Sequence, residues 1–125
     1  MTGYSVEIKE CSKELSARER IILKDLSNAI KLDSVVTSTE KIVITPTAYA
    51  ILAIHNEKSE NTDYEAYIII SDSGEKYVTC SPSFWRQFIS IWNEMSGEDE
   101  SYEIECYKLD SKNYKGKQFL TCSII

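Results

Sequence analysis

A helix with both ends marked, lying between two pairs of strand-like segments, constrains what this chain can fold into more than any other feature. Ser81 suits the N-cap, Pro82 the first helical position and Gly97 the stop. Between them Phe84, Phe88, Ile91, Trp92 and Met95 fall on one stripe, which Trp85 and Ile89 widen. A stripe so aromatic is a core face, with Trp85 the ring expected at the surface. Before the helix, YEAYIIIS from Tyr64 and EKYVTC at Glu75–Cys80 alternate as strands. The turn Asp72-Ser73-Gly74 joins them, glycine supplying the positive φ of a short hairpin. After the helix, Tyr102–Lys108 and Lys117–Ile124 read as strands around a turn at Asp110–Gly116.

Upstream, Ser16 followed three residues later by Glu19 forms a capping box. Ile22, Leu23, Leu26, Ala29 and Ile30 then recur at helical spacing, which predicts a helix from Ala17 to Leu32 within an N-terminal segment 15–33. Residues 1–14 are polar and mixed, either a frayed start or an edge strand. Lys41–Thr45 reads as a strand, and Tyr49–His55, beyond Pro46, as its continuation or a short helix. The expectation is one α+β domain over 1–125 whose core occupies 41–125. That core is an antiparallel, OB-like five-stranded barrel or twisted sheet, with an added N-terminal helix and a helix between strands three and four.

Composition excludes several classes. No apolar run approaches the roughly 20 residues that span a bilayer, and the start MTGYSVEIKECSKE lacks a signal-peptide pattern, so a cytoplasmic protein with no membrane partner is expected. The four cysteines, Cys11, Cys80, Cys106 and Cys122, form no C-x-x-C pair and are read as buried, free thiols. The single histidine, His55, has no metal-type neighbour and reads as a strand-end residue. Four glycines offer neither a P-loop nor a dinucleotide fingerprint, and no nucleophile sits beside a base. No enzymatic activity, cofactor or metal is expected.

The net charge of −6 argues against binding duplex DNA with the whole surface. Yet the charge is polarised. Glu94, Glu98, Asp99, Glu100, Glu103 and Glu105 cluster before the last strand pair, while Lys108, Lys112, Lys115 and Lys117 gather at its turn with only Asp110 among them. Single-stranded nucleic acid needs cations along the backbone and flat rings for its bases. Strand alternation turns Tyr67, Tyr77 and Tyr107 outward, and Tyr114 sits at the lysine-rich tip. The candidate nucleic-acid-binding set is therefore Tyr67, Tyr77, Tyr107, Lys108, Lys112, Tyr114, Lys115 and Lys117. Outward glutamates on the same strands oppose phosphates near these rings.

With these residues in place, Ile54–Lys58 (IHNEK), Tyr77–Met95 (YVTCSPSFWRQFISIWNEM) and Ser111–Ile124 (SKNYKGKQFLTCSI) resemble the small single-stranded-DNA-binding proteins of phages and mobile elements of Gram-positive bacteria. The resemblance covers the last two-thirds of the chain. It implies a non-catalytic protein that coats DNA in replication or recombination, in the host cytoplasm if phage-encoded. The better-known bacterial type ends in a flexible acidic tail that recruits proteins; here the chain stops in an apolar strand. Self-association into a homo-oligomer is expected, because linking several small sites raises affinity. The competing expectation is an acidic protein-interaction module, such as a phage-encoded inhibitor of a host nucleic-acid-binding or defence protein, whose surface imitates the charge of DNA.

Overall fold

The computed structural model describes residues 3–58, 60, 62–98, 100–110 and 116–125, and its segments of two-residue alternation are strands. In chain order the elements are β1 (Tyr4–Cys11), α1 (Ala17–Lys24), β2 (Ile30–Lys31), α2 (Leu32–Val35), β3 (Ile42–Ile44) and β4 (Pro46–Asn56). There follow β5 (Asp63–Ser71), β6 (Lys76–Thr79), α3 (Pro82–Met95), β7 (Ile104–Asp110) and β8 (Gln118–Ile124). The class is α+β, with strands in two open sheets ordered β1-β4-β5-β6-β2 and β3-β7-β8. The chain divides into two compact units, Met1–Ile30 with Thr47–Cys80 and Lys31–Pro46 with Ser81–Ile125.

The first unit is built on the β4-β5-β6 meander. Ala50, Leu52, Ile54, Ala66, Ile68 and Val78 bury one side of it, and Leu23 of α1 joins them. Residues 4–11 are the edge strand of the two alternatives, with Tyr4 opposite Asn56 on β4. The register slips between Ile8 and Glu10, a bulge that bends the edge. The turn after β5 places Gly74 at φ +88°, as its sequence requires. Tyr49–His55 is strand, within β4.

The N-terminal helix is half the length expected. Its start is as read, with Ser16 accepting from the Glu19 amide at 3.2 Å and Glu19 accepting from the Ser16 amide at 3.0 Å. It stops at Lys24 because Asp25 takes the Ser27 amide and hydroxyl onto its own carboxylate, a local alternative to helical hydrogen bonding. The Lys76 ammonium then satisfies the exposed carbonyls of Ile22 and Asp25. The helical spacing ran on past this point because Leu26 and Ala29 still pack against the core without being helical.

In the second unit the Ser81 side chain accepts from the Phe84 amide and opens α3. Phe84, Trp85 and Phe88 are buried, which corrects the expectation of Trp85 at the surface. Its ring stacks 5.0 Å from that of Phe88, and Phe88 lies 5.9 Å from Trp92. The helix lies against β8. Ile44, Ile104, Cys106, Leu120 and Cys122 are the buried side chains of the three-stranded sheet. Cys106 stands opposite Cys122, and burial pushes both thiols upward, that of Cys122 to about 12. These two are free and buried as expected; Cys80 is exposed and Cys11 half-buried, so burial does not extend to all four. No helix among the described residues is long and apolar enough to cross a membrane.

Candidate nucleic-acid interface

The sheet β3-β7-β8 has one buried side, and alternation puts every second residue on the other. The register sets Val43 opposite Glu105, Tyr107 opposite Thr121 and Leu109 opposite Phe119. Glu105, Tyr107 and Leu109 therefore share a face with Val43, Phe119, Thr121 and Ser123. On that face Val43 is 48%, Leu109 46% and Phe119 39% exposed. Tyr107 is half-buried, its hydroxyl 2.6 Å from that of Ser123, which fixes the ring across the two strands. Lys41 reaches the same face, with its ammonium 5.7 Å from the Tyr107 ring centroid and 3.6 Å from the Glu105 carboxylate. Lys117 is exposed immediately before β8.

The residues expected from sequence fall into separate groups. Tyr107 lies on this face, with exposed Lys117 at the β8 end of it. Lys108 alternates to the opposite side and donates to the Asp33 carbonyl at 3.0 Å. Lys112, Tyr114 and Lys115 lie outside the described residues. Tyr67 and Tyr77 share a face with each other, since Tyr67 pairs with Thr79 and Tyr77 with Ile69. That face is not outward. Each tyrosine is only 8% exposed, and Ile69 and Thr79 beside them are buried. Their hydroxyls donate to the carboxylates of Glu65 and Glu75. β5 is an inner strand buried on both sides, so neither ring is open to a base.

Sequence reasoning missed Phe119, Leu109, Val43 and Lys41. The signal was available for Phe119: with Leu120 and Cys122 facing the core, alternation places Phe119, Thr121 and Ser123 outside. Lys41 carried no such signal, because its approach to Tyr107 depends on the pairing of β3 with β7.

A cleft of about 360 Å³ lies in the first unit, lined by Ser5, Glu7, His55, Asp63, Tyr64 and Glu65, among others. His55 Nδ1 is 2.7 Å from Asp63 Oδ1. Ser5 pairs with His55 across the strands, but among the described residues no side-chain hydrogen bond joins the Ser5 hydroxyl to the His55 ring. Among them, too, no group of three or more His, Cys, Asp or Glu side chains is placed to hold a metal. The hydrogen bond to Asp63, helped by the charges of Asp63 and Glu57, holds His55 above its ordinary value. Its folded value thus exceeds the unfolded one. The stabilisation is fully present below about pH 6.5 and is lost as pH rises through the folded value. A proton-NMR titration of His55 should show a midpoint above the ordinary one, and Asp63→Asn should return it; an ordinary midpoint in the parent protein would refute the pairing.

No protein-family model matches the chain, and neither a curated protein nor a solved structure matches it.

Proposed function

We propose that this chain is a non-catalytic single-stranded-DNA-binding protein acting in phage or mobile-element DNA replication or recombination. The observation that carries the reading is the exposed face of β3-β7-β8. It joins one aromatic ring held across two strands, a second exposed ring and two apolar side chains, with Lys41 on the face and Lys117 at its end. Bases find flat apolar partners there, and phosphates find ammonium groups within reach. The finer fold reading belongs to the same proposal. Strands β4, β5 and β6, then α3, then the β7-β8 hairpin follow the element order of an OB-like core. A cytoplasmic setting and self-association complete the proposal.

Fluorescence anisotropy with labelled oligo-dT tests it. Binding at low salt is expected, weakening on a log–log plot with a slope of about −0.7 for each phosphate neutralised. No binding at low salt would reject the reading. One observation favours a second: Glu94, Glu98, Glu100 and Glu103 are all exposed. If this acidic surface imitates nucleic acid toward a protein, the chain will ignore oligonucleotides and compete with DNA for that protein instead.

A further inference from the structure

The outer face of β7 carries an acid where a phosphate path calls for a cation. Glu105 stands opposite Val43, two residues before Tyr107. Its carboxylate holds the Lys41 ammonium at 3.6 Å, and the same ammonium lies 5.7 Å from the Tyr107 ring centroid. Lys41 is thus held between a carboxylate and a π-face, both of which attract it. The pair is open to solvent, with the Lys41 side chain 58% and the Glu105 side chain 36% exposed. A phosphate oxygen can reach the ammonium with no rearrangement of the sheet.

We propose that Glu105 is a built-in competitor for phosphate at this face, so that a nucleic-acid strand must displace its carboxylate from Lys41 in order to bind. The inference rests on the single-stranded nucleic-acid reading above and specifies how that site is regulated. A carboxylate and a phosphodiester are both anionic acceptors, and the lysine ammonium is a compact point charge that cannot serve both fully. The phosphate contact is therefore worth only the difference between two ion pairs. After the exchange Glu105 stays beside the backbone as an unpaired like charge. Lys41 remains under the Tyr107 ring in either state, which keeps cation and stacking surface together. Glu105 thus sets the affinity and its salt dependence without touching a base.

The test compares the parent protein, Glu105→Gln, Lys41→Gln and the double variant, each against oligo-dT and oligo-U across a salt series. Glu105→Gln should bind about two- to fivefold tighter, the range that exposed ion pairs reach. Its salt dependence should steepen, because in the parent the freed Glu105 carboxylate takes up a cation that offsets one released from the strand. In the Lys41→Gln background the same substitution should give a clearly smaller gain, because the repulsion of the strand remains but nothing is left for Glu105 to occupy. Equal gains in both backgrounds would show plain repulsion of the strand and overturn the exchange. Binding with no gain in either background overturns it as well, while leaving the nucleic-acid reading intact. If neither the parent nor Glu105→Gln binds either oligonucleotide, that reading falls and this inference with it. The comparison of dT with U tells a DNA from an RNA homopolymer, which differ in the 2′-hydroxyl and the thymine methyl while the phosphodiester chemistry is shared.

Discussion

Phe119→Ala should weaken binding to oligo-dT by about 5- to 140-fold while leaving the fold intact. The magnitude follows from base–aromatic stacking, about 1–3 kcal/mol per base, with each 1.4 kcal/mol worth about tenfold. The separation of binding from stability follows from exposure. The ring is 39% accessible and lies on the side of β8 opposite the buried Leu120 and Cys122, so its removal opens no cavity. Its cross-strand partner Leu109 is itself exposed, and loses only a surface contact. Phe119→Tyr keeps a flat ring and should bind like the parent. The measurements are anisotropy for affinity and thermal unfolding for the fold. A folded Phe119→Ala protein with parental affinity would remove this face from the DNA-binding proposal. Tyr107→Ala is a less clean probe, because it also strips Ser123 of its hydroxyl partner.

The sequence made the faces of the strands legible, but not which faces are covered. Alternation put Tyr67 and Tyr77 together, and the β5–β6 register does the same. It could not tell that this side is buried as deeply as the Ile68 side. The run Ile68-Ile69-Ile70 was the available warning, since a strand buried on both faces reads as continuously apolar instead of alternating. Helix α3 was legible almost to the residue because its cap, proline and stripe agree. Helix α1 was not, because Leu26 and Ala29 serve the core from irregular backbone and so continue a helical rhythm where no helix exists. On the exposed face of β3-β7-β8, the outward position of Tyr107 was legible and that of Phe119 was within reach of the same argument. Lys41 was out of reach, being far from Tyr107 in sequence and brought to it only through the β3–β7 pairing.

Phe88→Ala should produce the opposite separation, a large loss of stability from a side chain that no ligand touches. Phe88 is fully buried, stacked against Trp85 at 5.0 Å and near Phe84 and Trp92 at 6.5 and 5.9 Å. Truncating a buried phenylalanine costs about 3–5 kcal/mol, the lost transfer energy adding to that of the cavity left behind. Against a total of about 5–15 kcal/mol for a typical protein, that is a large share. Three neighbouring rings line the space, and how far they close it sets where in the range the cost falls. Urea unfolding followed by tryptophan fluorescence measures it directly, since Trp85 and Trp92 report on this cluster. A lower midpoint is expected, with Phe88→Leu falling between the alanine variant and the parent. Because α3 lies against β8, the loosened helix should also cost oligo-dT affinity, but only at denaturant or temperature levels where the variant is already unfolding. A Phe88→Ala protein that melts with the parent would mean that α3 is not the keel of this unit, and that β8 holds Phe119 in place without it.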